Sequence, residues 1–205
     1  MTARKIAVVS AGLGKPSSTR LLADRLAQAT VDELARIGVT ATVETFELRD
    51  VAHDIVNAML TGFPSPTLRH LLETVTGTDA VIAVTPLYTT TYSGLFKSFV
   101  DILDKDALVG TPVLLGATGG TPRHSLALEY SVRPLFTYLR AHTVTTSVFA
   151  ATDDWAGGTD TLASLPARIT RAATELAVAV VARPASRPVD PFADAPNFAD
   201  LLGDS

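Results

Sequence analysis

The chain has 205 residues, 47% hydrophobic and 19% charged, with no Cys; this length buries enough core to fold without staples, and disulfide frameworks, Cys-ligated zinc, iron–sulfur clusters and thiol nucleophiles are excluded. Its 17 basic and 21 acidic residues give a net charge of −4, and the acidic excess lies at the C-terminal end, which leaves no clustered positive charge for nucleic acid or an anionic membrane surface. No apolar run reaches the roughly 18 residues of a membrane span, and the run after Lys5 is too short for a signal-peptide core, so a cytoplasmic location is expected.

Ile6-Ala7-Val8-Val9 is a short β-branched run ended by Ser10-Ala11-Gly12, which predicts a buried strand. From Leu21 to Ile37 apolar residues recur at three- and four-residue steps up to Gly38, an amphipathic helix with a glycine stop. Residues 41–48 alternate, as in a strand with one face less buried. Val51 to Leu60 and Thr67 to Val75 read as helices on either side of Phe63-Pro64-Ser65-Pro66. Ala80 to Val84 is a third strand, Thr85 to Tyr92 a loop, and Gly94 to Leu103 a helix with Leu95, Phe96, Phe99, Val100 and Leu103 on one face. Val113 to Leu115 is a fourth strand, followed by a helix from about Ser125 to His142. Val144 to Phe149 is a fifth strand, Asp153 to Gly158 a loop and Thr161 to Val181 a last helix.

Near-continuous apolar strands separated by helices imply a parallel sheet covered on both faces, because each parallel connection crosses over through a helix. The expected fold is α/β: a flavodoxin-like, doubly wound, five-stranded parallel sheet of order 2-1-3-4-5, over residues 1–183. Residues 184–205 form a Pro-containing acidic tail with Asp190, Asp194, Asp200 and Asp204, expected to dock only locally through Phe192, Phe198 and Leu201.

In such a sheet, ligands bind beyond the carboxyl ends of the strands, where strand order reverses. The segment from Ser10 to Thr19 is rich in hydroxyls and runs straight into a helix, so free amides, the helix dipole and hydroxyl donors suit an anion; a plain Ser17 or Ser18 helix cap is the simpler alternative. It is not a Walker loop, because Val9 and Pro16 stand where Gly and Ser or Thr are required, and Ser17 replaces the third Gly of a dinucleotide fingerprint. Lys15 is a further candidate for neutralising a phosphate, with a solvated loop lysine as the simpler reading. The loop Thr85 to Tyr92 is aromatic enough to wall a flat ring, and Thr118-Gly119-Gly120-Thr121 lacks bulk, so its backbone can approach a ligand edge.

The stretches TPLYTTTYSGLFKSFVDIL, GTPVLLGATGGTPRHSLALEYSVRPLF and VFA resemble the NAD(P)H-dependent FMN reductases of the flavodoxin-like superfamily, above all those that supply reduced flavin to alkanesulfonate and other luciferase-like monooxygenases. The resemblance covers about residues 5–182 and is looser from Ser10 to Leu22, where Leu13-Gly14 replaces the customary Arg or Pro. It implies that Ser10, Ser17, Ser18 and Thr19 hold the FMN phosphate, that Pro86, Leu87, Tyr88 and Thr89 border the ribityl chain and ring, and that Thr118, Gly119, Gly120 and Thr121 meet the ring's polar edge. The implied cofactors are FMN with NADPH or NADH, the implied partner a flavin-dependent monooxygenase, and the implied assembly a homodimer or homotetramer. No residue is implied as a proton-transfer catalyst, since the flavin carries the chemistry. An FMN-retaining quinone or azo reductase and a non-enzymatic flavodoxin-type electron carrier are the alternatives.

Pro134 falls inside a helical stretch, where it removes a donor and crowds the carbonyl of Tyr130 at about 3 kcal/mol. A π-bulge or a kink near Tyr130 relieves that conflict, with a Pro-kinked packing helix that holds Tyr130 in the core as the plainer alternative; in the resembling reductases the matching Tyr lies in such a bulge at a subunit interface and affects how flavin is held. His53, His70, His124 and His142 have no spacing suited to a metal. Lys97 and Asp101 suit an exposed helix pair, and neither Ser10 nor Ser125 sits in a nucleophile elbow.

Overall fold

The computed structural model of the chain describes residues 3–156 and 164–184. Strand β1 (Arg4–Ser10) leads to α1 (Ser18–Arg36), β2 (Ala41–Glu47), a 3₁₀ turn (Leu48–Val51), α2 (Ala52–Thr61) and α3 (Pro66–Thr76). Strand β3 (Ala80–Tyr88) turns back into the two-residue β4 (Thr91–Tyr92), followed by α4 (Gly94–Asp101) and β5 (Pro112–Gly119). Then come a 3₁₀ turn (Pro122–His124), a π turn (Leu128–Val132), α5 (Arg133–Tyr138), β6 (His142–Thr143), β7 (Val148–Ala151), a 3₁₀ turn (Thr152–Ala156) and α6 (Leu165–Ala182).

The sheet runs β2-β1-β3-β5-β6 in parallel, with β7 also parallel to β5 and β4 antiparallel to β3. This is the expected 2-1-3-4-5 order, with β6 and β7 standing for the fifth strand. Alternate residues of β1 serve the two faces: Ile6 and Val8 meet α1 and α6 through Leu22, Leu26, Leu176 and Val180, whereas Ala7 and Val9 meet Ile55, Leu68, Phe96 and Phe136. Both faces are dry, which is why the central strands read as apolar runs. Helix α1 stops at Gly38, which takes φ +77°, donating to Ala35 O while Val39 N–H donates to Leu34 O, a Schellman closure. At the sheet's opposite end from the strand-end loops, Asp79 is buried and takes Arg4 Nη1 at 3.0 Å and Lys5 N–H at 2.8 Å.

Four expectations are corrected. The third strand extends to Tyr88, so Thr85–Tyr88 is strand rather than loop, and β5 likewise extends to Gly119. The predicted strand Val144–Phe149 is interrupted between β6 and β7: Thr146 N–H and Oγ1 bond the Glu175 carboxylate at 2.7 and 2.6 Å, and Arg133 takes the carbonyls of Val144 and Thr145 at 2.9 and 3.1 Å. Side chains there replace the β ladder. The helix expected over 125–142 is a π turn followed by a short α5, ended by Arg140 in the left-handed region at φ +57°. The last helix begins at Leu165; residues 161–163, 157–158 and the tail from residue 185, with Phe192, Phe198 and Leu201, lie outside the described residues.

Candidate functional site

At the carboxyl ends of β1, β3, β5 and β7 lies a cavity of about 500 Å³. The segment after β1 folds tightly over the start of α1: a Cβ on Gly12 would stand 2.1 Å from Ser17 Oγ and 3.0 Å from Thr19 Cβ, so a side chain there would displace the Ser17 hydroxyl. Ser17 is the helix N-cap, its Oγ accepting the Arg20 N–H at 3.1 Å. The Lys15–Pro16 peptide is cis. Beneath the loop, Ser10 Oγ is wholly buried and has no hydrogen-bond partner among the described residues.

This loop is braced from β2. Arg49 donates to the Gly14 carbonyl at 2.5 Å and lies 2.6 Å from Glu47 Oε2, while Glu47 Oε1 takes Arg20 at 3.0 Å. Arg20 is held above its ordinary pKa, chiefly by its hydrogen bond to Asp24. Glu47 and Arg49 were not singled out by sequence; the available signal was position, since Glu47 ends β2 as the register partner of Ser10.

The segment after β5 locks onto the first. Thr19 Oγ1 and Thr118 Oγ1 are buried and 2.8 Å apart. A Cβ on Gly119 would approach Phe149 Cζ to 2.9 Å, whereas one on Gly120 would meet open space. In the β3 segment, Thr85 Oγ1 donates to the Pro86 carbonyl at 2.9 Å and accepts the Ser93 N–H at 3.1 Å. Leu87 and Tyr88 pair with Tyr92 and Thr91 across a two-residue turn in which Thr89 and Thr90 have φ of +50° and +73°. Such values are unusual for β-branched residues and store about 1 to 3 kcal/mol each.

Of the residues singled out by sequence, Ser17, Ser18, Thr19, Pro86, Leu87, Tyr88, Thr118, Gly119 and Gly120 share the cavity wall. Four do not. Ser10 lies beneath the loop, Thr89 is at the hairpin tip, and Thr121 caps the 3₁₀ turn by accepting the Arg123 N–H at 3.4 Å. Tyr130 lies on the π turn and is 78% exposed. Thr152 and Trp155 line the cavity without having been singled out. Among the described residues the wall carries no carboxylate and no base, and its hydroxyls, helix-start amides and glycines suit a phosphate ester joined to a flat ring.

Residues 4–156 match the family model described as NADPH-dependent FMN reductase. The chain belongs to this family. A Pseudomonas aeruginosa FMN reductase (NADPH) is 33% identical over 175 residues, 84% of this chain and 90% of that protein. The NADH-dependent FMN reductase SfnE of Pseudomonas putida is 36% identical over 177 residues, 86% and 92% of the two chains. Among solved structures, an oxidoreductase from Corynebacterium diphtheriae aligns with TM-score 0.86 at 42% identity, covering 90% of this chain and 100% of that one. The NADH:FMN oxidoreductase EmoB aligns with TM-score 0.77 at 26% identity, covering 90% and 94%.

In this FMN reductase the segment before α5 has the geometry that Pro134 demands. Arg133 N–H donates to Leu128 O, five residues back, and Pro134 falls in the first turn of α5, where its missing donor is not needed. The turn is clamped: Arg133 Nε and Nη2 reach the Glu129 carboxylate at 2.5 and 2.9 Å, and Ser147 Oγ donates to it at 2.5 Å. These bonds, that of Arg133 first, hold the Glu129 carboxyl below its ordinary pKa. Lys97 and Asp101 form the expected exposed pair at 2.5 Å. His124 is exposed, and no group of His, Cys, Asp and Glu suited to a metal occurs among the described residues.

Proposed function

We propose that this chain reduces FMN with NADPH or NADH in the cytoplasm and delivers reduced FMN to a luciferase-like flavin-dependent monooxygenase. The observation that carries this reading is the Thr19–Thr118 hydrogen bond, which joins two strand-end segments around one cavity. The chain fits the flavin on two further counts: the buried Ser10 hydroxyl lacks a partner among the described residues, and the turn at Gly12 leaves no room for a side chain.

Ser10, Ser17, Ser18 and Thr19 are assigned to the phosphate, Pro86 to Thr89 to the ribityl chain and one ring face, and Thr118 to Thr121 to the ring's polar edge. Bound FMN supplies the hydride acceptor for the nicotinamide. The chain's own residues orient the two rings and exclude water; among the described residues no side chain of the wall is a carboxylate or an imidazole, so none is assigned a proton transfer. The assembly is a homodimer or homotetramer with Tyr130 at a subunit contact that influences flavin retention, a reading supported by the exposure of Tyr130 and Leu126, at 78% and 61%.

The test is nicotinamide oxidation with and without added FMN, followed under anaerobic conditions by filtration of the mixture. FMN-dependent oxidation with reduced flavin in the filtrate supports the proposal. Reduced flavin retained with the protein, and turnover only with a quinone, transfers the chain to the retained-flavin class. Flavin binding without nicotinamide oxidation overturns the enzymatic reading in favour of an electron carrier. Sedimentation velocity on the wild type and on Tyr130→Ala tests the assembly.

A further inference from the structure

A fourth strand end contributes to the cavity. The 3₁₀ turn Thr152–Ala156 follows β7, and its Thr152 and Trp155 stand in the same wall as Ser17, Ser18 and Thr19. The turn is braced: the Asp154 carboxylate accepts the Ala151 N–H at 2.8 Å and takes Arg168 Nη2 from α6 at 2.5 Å. Trp155 is half-buried and packs against the core shared by α1 and α6. Its indole N–H has no hydrogen-bond partner among the described residues.

Arg25 lies over this indole, with Cζ 5.0 Å from the ring centroid. It is seven residues beyond Ser18, almost two full turns, so the two share one face of α1 about 10 Å apart along the axis. Arg20, nearer the loop, is neutralised by Asp24 and Glu47. Arg25 is exposed and has no carboxylate partner among the described residues, and its charge reaches the helix start through about 10 Å, a distance over which salt screens it. An uncompensated cation there favours an anion at the helix start.

We propose that Trp155 is a binding residue of the phosphate end of the cavity, and that Arg25, acting through the indole and through its charge, is the positioning residue that makes the site prefer a flavin phosphate monoester over unphosphorylated flavin. The inference rests on the FMN reading above and adds to it the discrimination between FMN and riboflavin. The guanidinium fixes the indole's tilt by a cation–π contact, and the Asp154 brace fixes the turn, so the wall is formed before the ligand arrives.

Trp155 is the sole Trp of the chain, so its emission reports ligand occupancy in the full-length protein without any turnover. FMN and riboflavin are titrated into the wild type, Trp155→Leu, Trp155→Phe, Arg25→Leu and Arg25→Lys, with dissociation constants taken from flavin fluorescence. Circular dichroism melts confirm that each variant is folded. In the wild type FMN binds more tightly than riboflavin, and added salt narrows the gap. Trp155→Leu weakens FMN about tenfold, and Trp155→Phe, which keeps the packing but lacks the N–H, weakens it less. Arg25→Leu weakens FMN about fivefold and leaves riboflavin unchanged, and Arg25→Lys restores most of the loss.

Unchanged FMN affinity in both Trp155 variants overturns the proposal, as does equal weakening of FMN and riboflavin in Arg25→Leu. A wild type that leaves flavin fluorescence untouched overturns the FMN reading itself, which separates the two failures.

Discussion

Thr19 Oγ1 and Thr118 Oγ1 share a buried hydrogen bond of 2.8 Å across 99 residues of chain, from the first turn of α1 to the end of β5. Removing one hydroxyl leaves the other buried without this partner, which costs about 1 to 3 kcal/mol, whereas removing both avoids that penalty. Thr118→Val is expected to lower stability by about 1 to 2 kcal/mol and to weaken FMN binding about tenfold. The Thr19→Val, Thr118→Val pair is expected to cost less than the sum of the single changes. A double-mutant cycle from denaturant titrations and flavin binding measures both effects.

Gly12 sits where a methyl group would displace the Ser17 cap, 2.1 Å from its Oγ. Gly12→Ala therefore reopens the helix start, with an expected loss of about 1 to 2 kcal/mol of stability from the disrupted cap. FMN affinity is expected to fall at least about tenfold, while riboflavin affinity falls less, because the damage is local to the segment proposed to hold the phosphate. Calorimetric titration with the two flavins reads the difference.

Thr89 and Thr90 occupy the left-handed positions of a two-residue hairpin, where an Asn followed by a Gly is the favoured pair. The double variant Thr89→Asn, Thr90→Gly is expected to raise stability by about 1 to 2 kcal/mol. For a chain of this size that is a melting-temperature gain of roughly 2 to 8 °C. A variant that melts no higher than the wild type counts against strain at this turn.

The Glu129 carboxyl, held below its ordinary pKa chiefly by Arg133, makes the π turn sensitive to acid. A carboxyl with a lowered folded-state pKa contributes stability that is full above its unfolded-state value and is lost as pH falls through the lowered one. The melting temperatures of the wild type and Glu129→Gln are thus expected to differ at neutral pH and to converge in strong acid. Because the pair is partly exposed, the gap is about 1 kcal/mol or less. A gap that persists unchanged into acid refutes the assignment.

Asp79 anchors the end of the sheet remote from the cavity, bonded to Arg4 and to the Lys5 amide. Asp79→Ala leaves the part-buried Arg4 without this partner and is expected to cost about 3 kcal/mol or more. FMN affinity is expected to stay within about twofold, since the change is made at the opposite end of the strands from the cavity. Parallel denaturant and flavin titrations separate the two roles.

The hydrophobic rhythm by itself determined the alternation of strands and helices, the parallel sheet they build and the three segments that meet at the cavity, because burial on both faces of a parallel sheet writes itself into each strand locally. The sequence also located the irregularity before α5, since Pro134 disturbs an ordinary helical turn wherever the segment is placed; that it is a π turn and not a plain kink was decided by the tertiary structure. Only the tertiary structure decided the rest. The break between β6 and β7 depends on Glu175 and Arg133 reaching in from other elements, and no periodicity within 144–149 reports that. Glu47, Arg49 and Trp155 join the site through partners on neighbouring segments and on α1. Taken singly they read as an ordinary strand end, an ordinary turn and an ordinary aromatic, because long-range side-chain pairing leaves no mark on the local sequence.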